Sequence, residues 1–321
     1  MTEPPTVAVV IPCYRAADSV PGVIAGVGPA VTRIYVVDDA CPDRTGERVE
    51  ADCRDPRVVV LRHDVNLGVG GATRTGYRRA LEDGADVVVK LDADGQMDPA
   101  LIPRLVRPIV EGEADYAKGN RFFGLKALRE MPRTRFLGNA ALGTLTKISS
   151  GYWDIVDPAN GFTAVHASVL RELPLDSVSE RYFFESDMLH HLYLLRAKVA
   201  DVPMRARYRG ERSSLSIGAV VGEFLWKHLR NACRRIWFVY VVRDFGLASL
   251  ELLLGLLSLL FGLVFGFIEW RESLVTGEPA TAGTVMLAAM PVIVGIQLLL
   301  SFLAFDMANV PKVALHPRLK P

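Results

Sequence analysis

Two carboxylates one residue apart, Asp92 and Asp94, lie in the run Lys90-Leu91-Asp92-Ala93-Asp94-Gly95-Gln96, directly after an aliphatic stretch. Carboxylates at the end of a buried strand are costly unless water or a cation meets them. A divalent ion such as Mg2+ or Mn2+ prefers carboxylate oxygens and completes its shell with substrate phosphates. Gln96 adds a neutral oxygen nearby. Asp92, Asp94 and Gln96 are therefore the candidate metal ligands. The plainer alternative is a polar turn, and the strand before it favours the metal.

A second acidic end follows Val36-Val37 as Asp38-Asp39. Such acids accept hydrogen bonds from a ribose hydroxyl or a base N–H. The nearby Asp43 is suited to cap a helix over 44–51. A third feature is Asn66-Leu67-Gly68-Val69-Gly70-Gly71-Ala72. Glycines at a helix start let backbone amides approach a diphosphate. The spacing is neither G-x-G-x-x-G nor that of a P-loop. The chain has no G-x-S-x-G and no H-E-x-x-H, which argues against a nucleophilic hydrolase or a zincin. His190 and His191 fall in a helical stretch and read as ordinary helix residues.

The elements that must position these groups alternate. Val7–Ile11, closed by Pro12, Ile34–Val37, Val58–Leu61 and Asp86–Leu91 read as strands apolar on both faces. Val69–Asp83, stopped by Gly84, and Pro99–Glu111, opened by Asp98, read as helices. That alternation predicts a parallel sheet covered on both sides, with ligands beyond the carboxyl ends of its strands. Past Gly119 the pattern is less regular, with helices expected at Arg133–Ser149 and Phe183–Arg196.

The last third changes character. Ile217–Val242 is amphipathic and basic, with Trp226, Lys227, Arg230, Arg234, Arg235 and Trp237, which suits a helix lying on a membrane surface. Leu247–Ile268 is 22 residues with one charge, Glu251, and Val285–Phe305 is 21 residues with none. At about 1.5 Å per residue, either spans a hydrocarbon core of about 30 Å. The join between them carries Glu269, Glu272 and Glu278 against Arg271, while the outer flanks are basic. The positive-inside rule then predicts a cytoplasmic large domain and cytoplasmic termini. Gly262 and Gly266 form a G-x-x-x-G pair of the kind that packs helices between protomers, which makes a homo-oligomer an expectation.

Composition sets the remaining bounds. The 321 residues carry 37 Lys+Arg and 36 Asp+Glu, a net charge of +1, so no global basic field points to nucleic acid. Cys13, Cys41, Cys53 and Cys233 lack C-x-x-C spacing, which argues against a zinc site and for a reducing compartment. Met1–Pro5 has no basic or apolar signal-peptide region, and a secretory leader is not expected there.

Together these motifs resemble the inverting glycosyltransferase family 2. Val9-Val10-Ile11-Pro12-Cys13-Tyr14, Val37-Asp38-Asp39, the Asn66–Ala72 glycines and Leu91–Gln96 follow that family's order over roughly the first 215 residues. The resemblance implies a GT-A fold, an α/β, Rossmann-like and mostly parallel sheet with flanking helices. Gly119-Asn120-Arg121, Asp157–Phe162 and Phe184-Glu185-Ser186-Asp187, with the two apolar spans, resemble its polyprenyl-phosphate sugar transferases of the dolichyl-phosphate mannose synthase type.

The implied plan is a catalytic domain over 1–215, a membrane-interface helix over 216–243, a two-helix transmembrane hairpin over 244–310 and a cytoplasmic tail over 311–321. The implied activity is that of a hexosyltransferase, moving one sugar from a GDP- or UDP-linked donor to undecaprenyl or dolichyl phosphate. By the same resemblance Pro12, Tyr14, Asp38, Asp39, Gly68 and Asp92 serve the nucleotide-sugar, with Arg212 and Ser213 closing over the diphosphate. Arg121, with Arg133 or Arg135, receives the lipid phosphate. Asp94, Asp92 and Gln96 hold Mg2+ or Mn2+. Arg15, Cys41-Pro42 and Gly210–Leu215 depart from the common pattern, and the last leaves the sugar open.

A lipid phosphate is ionised near neutral pH and needs no strong base. A hydroxyl acceptor would need one, and Asp187, then Asp157, are the candidates. Two other readings therefore stand beside the first: a family 2 transferase acting on a glycan hydroxyl, and a non-catalytic membrane subunit of a glycan assembly complex.

Overall fold

The computed structural model describes residues 4–123, 133–204 and 217–319. The chain divides into two compact units, Met1–Ala232 with Pro311–Pro321, and Cys233–Val310.

The first unit is built on a seven-stranded sheet. β1 (Val7–Cys13), β2 (Arg33–Asp38), β3 (Val58–Arg62) and β4 (Val87–Lys90) fall where the aliphatic runs predict them. β5 (Tyr116–Asn120), β6 (Thr163–His166) and β7 (Val199–Pro203) complete it, in the order β3-β2-β1-β4-β6-β5-β7. β3, β2, β1 and β4 pair in parallel. β6 runs antiparallel to both β4 and β5, and β7 parallel to β5. The sheet is thus mixed beyond β4, where the sequence has fewer aliphatic runs.

Helices α1 (Val20–Ala25), α2 (Thr45–Asp52), α3 (Gly68–Glu82) and α4 (Ile102–Val110) connect the first strands. The Asp98 carboxylate accepts from the Ala100 amide, and a short 3-10 turn over Pro99–Leu101 precedes α4. α5 (Arg133–Ser150), α6 (Ala167–Glu172) and α7 (Phe184–Leu194) follow. The core is aliphatic, with Val9, Ile11, Ile34, Val36, Val89 and Ile109 fully buried.

α8 (Ile217–Trp237) has an inverted face pattern. His228 and Asn231 are buried, while Val221, Leu225, Trp226 and Leu229 are exposed. The His228 Nδ1 lies 2.8 Å from the Ser149 hydroxyl. The Phe183 ring meets Phe224 and His228 edge-on, at 5.4 and 4.8 Å. This helix packs on its neighbours through polar and aromatic groups and leaves aliphatic ones outside.

The C-terminal segment also belongs to this unit. The fully buried Asp115 carboxylate accepts from the backbone amides of Lys198, Leu315 and His316. The His316 ring lies 2.8 Å from it and stacks on His166 at 4.1 Å. One buried carboxylate therefore anchors the tail beside β5 and β7.

The second unit contains α9 (Leu247–Thr276) and α10 (Ala282–Ala308), both long and apolar enough to cross a membrane. Glycines set their closeness. A Cβ at Gly262 would sit 2.7 Å from the Ala288 carbonyl oxygen, and one at Gly295 2.7 Å from the Leu259 nitrogen. A Cβ at Gly266 would be 3.3 Å from the Ala288 Cβ. Gly262 and Gly266 thus face α10 of the same hairpin. At the base, Arg235 Nη1 and Nη2 donate to Asp306 at 2.5 and 3.0 Å, and the Tyr240 hydroxyl donates to the same carboxylate at 2.6 Å. Arg235 is accordingly buried in an ion pair rather than offered to lipid headgroups, as its place in a basic stretch predicts.

Candidate active site

The acidic strand ends lie at the carboxyl edge of the parallel strands. There three non-glycine residues take left-handed backbone, Arg15, Ala40 and Arg44, with φ of 54°, 51° and 51°. Such conformations cost of the order of 1–3 kcal/mol each and collect at functional sites. Tyr14, just beyond β1, is 48% exposed, with the Arg15 guanidinium 5.6 Å from its ring centroid. Pro12 is buried inside β1, opposite Val37.

Asp38 and Asp39 are both buried. Asp38 accepts from the Cys41 amide at 2.8 Å and the Gly46 amide at 2.6 Å, so it, and not Asp43, caps α2. Asp39 accepts from the Leu67 amide at 2.8 Å and the Gly68 amide at 2.7 Å, with the His63 ring 2.8 Å away. The negative partner of the α3 N-terminus is therefore Asp39. The Gly70 and Gly71 amides donate to the Glu180 carbonyl at 2.7 and 3.0 Å. The diphosphate cradle expected from Gly68 and its neighbours is thus a closed packing joint, because these four amides already have acceptors. Gly68, at φ +83°, and Gly70 bring α3 against residues 179–181.

That closeness has a direct consequence. A Cβ at Gly70 would sit 2.3 Å from the Ser179 carbonyl oxygen and 2.8 Å from the Phe184 ring. Overpacking of this kind costs about 1–3 kcal/mol. Gly70→Ala is expected to lower the thermal midpoint of the detergent-solubilised protein, measured by scanning fluorimetry, whereas Gly28→Ala, where a Cβ meets nothing within 4 Å, is expected to leave it unchanged.

Asp94 and Gln96 follow β4 in a turn that Gly95 makes at φ +73°, and the Gln96 amide donates to Asp94 at 2.9 Å. Asp94 and Gln96 are partly exposed. Asp92 has a different environment. Its carboxylate takes the ammonium of Lys90 at 2.5 Å, and Glu185, on the first turn of α7, takes the same ammonium at 3.0 Å. Lys90 is 1% exposed. Burial alone would lower its pKa, but the two carboxylates outweigh burial and raise it.

No group of three or more His, Cys, Asp or Glu side chains poised to hold a metal occurs among the described residues. Asp94 and Gln96 offer hard oxygen donors too few for a protein cage. That donor set fits a cation such as Mg2+ or Mn2+, which keeps waters and takes substrate phosphates as ligands.

The sheet register explains Lys90. Lys90 and Lys118 both pair with Thr163, and Lys118 pairs with Asp201, so the four stand in one row across β4, β6, β5 and β7. Lys118 is fully buried and donates to the Asn160 carbonyl. Burial pulls its pKa down to about 8, against the opposing pull of Glu185 and Asp157. Sequence reasoning gave neither lysine a role. The available signal was a charge inside a strand apolar on both faces, which requires a buried counter-charge.

The candidate bases are engaged. Asp187 is 1% exposed and accepts from the Ser179 amide and hydroxyl, each at 2.8 Å, and from the Asn231 side chain at 2.7 Å. Asp157 is 1% exposed and forms a two-pronged pair with Arg121, at 2.7 and 2.9 Å. Both carboxylates are thus held by hydrogen bonds in this arrangement. Arg121 is held in place by Asp157 at the end of β5. Arg133 and Arg135 stand in the first turn of α5, with side chains outside the described residues. Arg212 and Ser213 also lie outside them.

The family profile described as Glycosyl transferase family 2 matches residues 8–174. The chain belongs to glycosyl transferase family 2. This family member is 33% identical over 218 residues to the undecaprenyl-phosphate mannosyltransferase of Micrococcus luteus, covering 67% of this chain and 88% of that one. It is 28% identical over 227 residues to the UDP-N-acetylglucosamine–dolichyl-phosphate N-acetylglucosaminyltransferase of Methanococcus voltae, covering 66% of this chain and 90% of that one. Among solved structures, glucosyl-3-phosphoglycerate synthase from Mycobacterium tuberculosis in complex with UDP superposes with a TM-score of 0.50 at 22% identity, over 72% of this chain and 80% of that one. The shared fold is the GT-A architecture of the first unit.

Proposed function

We propose that the protein is an inverting hexosyltransferase that moves one sugar from a GDP- or UDP-linked donor to a polyprenyl phosphate at the cytoplasmic face of a membrane. The observation that carries the choice of acceptor is the engagement of Asp157 and Asp187. A hydroxyl acceptor needs a base to take its proton, and the two carboxylates nearest that role are buried and hydrogen-bonded. A phosphate acceptor arrives ionised, so orientation and charge neutralisation suffice. Two similar proteins carry names that specify polyprenyl phosphates as acceptors, and their sugars differ, so the sugar stays open.

In this reading Tyr14 stacks on the base, and Asp38 and Asp39 hold the loops that flank it. Asp39 retains one lone-pair direction on Oδ2 for a donor from the nucleoside. Asp94 and Gln96 hold a divalent ion, which when bound neutralises the diphosphate leaving group. Arg121, oriented by Asp157, faces the acceptor phosphate, with Arg133 or Arg135 and, over the donor, Arg212 and Ser213 completing the positive lining. α9 and α10 cross the bilayer, and the exposed aliphatic face of α8 lies on its surface. That the tail anchored at Asp115 belongs to the same unit as the sheet supports a hairpin entering and leaving the membrane on one side.

The test is a donor screen. Purified protein in vesicles containing undecaprenyl or dolichyl phosphate, with Mg2+ or Mn2+, should transfer radiolabel from one UDP- or GDP-sugar into the lipid extract. Label that enters only a saccharide acceptor would favour the hydroxyl reading. Undetectable nucleotide binding would favour a non-catalytic subunit.

A further inference from the structure

Transfer to a phosphate makes no use of Asp187, yet its carboxylate is buried and fully engaged. Its partners lie on two elements. Asp187 Oδ1 accepts from the Asn231 side chain of α8 at 2.7 Å, and Oδ2 accepts from the amide and hydroxyl of Ser179, each at 2.8 Å. Asn231, like Asp187, is 1% exposed. The residue after Ser179, Glu180, accepts through its carbonyl from the Gly70 and Gly71 amides at 2.7 and 3.0 Å. Just before these glycines, the Leu67 and Gly68 amides donate to Asp39 at 2.8 and 2.7 Å. The joint has no slack, since a Cβ at Gly68 would fall 2.7 Å from the Glu180 carbonyl oxygen. α8 also grips this segment at Phe183, where the Lys227 ammonium lies 5.5 Å from the ring centroid. Hydrogen bonds and adjoining backbone therefore run from α8 to Asp39.

We propose that Asn231 is a positioning residue for the donor site. By holding Asp187 it fixes residues 179–180, and with them the α3 N-terminus and Asp39, so that seating of α8 and binding of the nucleotide favour each other. This rests on the readings that Asp39 flanks the nucleoside and that α8 lies on the membrane surface. An amide suits the position, because it donates to a buried carboxylate without adding a charge. Contiguous hydrogen-bonded groups of this kind can carry coupling between separate sites. The coupling is reciprocal: whatever seating of α8 adds to nucleotide affinity, the nucleotide adds to the seating of α8.

The pair offers an exchange. In Asp187→Asn/Asn231→Asp the amide and the carboxylate trade places. The amide at 187 accepts from Ser179 through its oxygen and donates to the carboxylate at 231, and the buried charge is kept. Asn231→Ala removes the donor, and Asn231→Asp alone sets two buried carboxylates against each other.

The experiment measures UDP and GDP affinity by isothermal titration calorimetry, and transfer to polyprenyl phosphate, on the full-length protein in lipid nanodiscs with Mg2+. Asn231→Ala should bind the nucleotide about fivefold more weakly than wild type. Asn231→Asp should lose more than about tenfold. The exchange variant should return both nucleotide affinity and kcat to within about threefold of wild type. Circular dichroism reports whether each variant folds. One arm needs no variant: in wild type, saturating nucleotide should slow hydrogen exchange at the amides of residues 224–232. In folded Asn231→Ala it should not.

Wild-type nucleotide affinity in folded Asn231→Ala, or exchange in α8 that is indifferent to nucleotide in wild type, would overturn the inference. So would an exchange variant that binds nucleotide like wild type but loses kcat by more than about 10^2-fold, because Asp187 would then be acting as a base. Failure of wild type to bind either nucleotide would instead strike the donor reading itself, and the inference with it.

Discussion

Asp94→Ala should lower kcat/KM for sugar transfer by about 10^3-fold, close to 4 kcal/mol of transition-state stabilisation. In the proposed reading Asp94, in the turn after β4, is a ligand of the cation that neutralises the leaving diphosphate. The substitution lies in a partly exposed turn, so the thermal midpoint should move little while activity disappears. Radiolabel transfer read beside scanning fluorimetry separates the two effects. Activity within tenfold of wild type would remove Asp94 from the site.

Asp306→Ala should destabilise the hairpin base by about 3–5 kcal/mol. Arg235 is 1% exposed and Asp306 2%, so removing the carboxylate leaves a guanidinium buried without its counter-charge. The Tyr240 hydroxyl, which donates to the same oxygen, loses its acceptor as well. Asp306→Asn keeps an acceptor but not the charge and should fall between. The double variant Arg235→Met/Asp306→Leu, which removes both charges, should recover much of the loss. Thermal unfolding in detergent measures all three. An Asp306→Ala midpoint equal to wild type would mean that the pair contributes nothing.

The parallel half of the fold was legible because each of its strands is aliphatic on both faces and short, a pattern that only a covered sheet accommodates. The half beyond β4 was not. β5 reads Tyr-Ala-Lys-Gly-Asn, and its burial depends on distant partners, the Asn160 carbonyl for Lys118 and the Asp201 carboxylate for Asn120. The acidic strand ends were correctly found as the edge where polar groups gather. Which atom would meet each carboxylate was beyond the sequence: the Leu67 and Gly68 amides, 28 and 29 residues on, occupy Asp39, while the nearby Cys41 and Gly46 amides occupy Asp38.

Glu185 and Asp187 make the same point on one helix. Residues two apart project about 200° from each other. One carboxylate therefore turns toward Lys90 and the metal turn. The other turns toward Ser179 and Asn231 and becomes a brace. The hairpin glycines followed suit, since a G-x-x-x-G pair shows that a helix is approached closely without saying by which helix.

The central claim is transfer of a sugar to the phosphate of a lipid, and mass spectrometry of the product tests it most directly. Purified protein reconstituted with undecaprenyl phosphate, Mg2+ and the donor chosen by the screen should yield the acceptor mass plus one glycosyl residue, with mild acid releasing the sugar and regenerating polyprenyl phosphate. A polyprenyl phosphate of unchanged mass, with the sugar found instead in acid-stable linkage to a hydroxyl of an added saccharide, would contradict it.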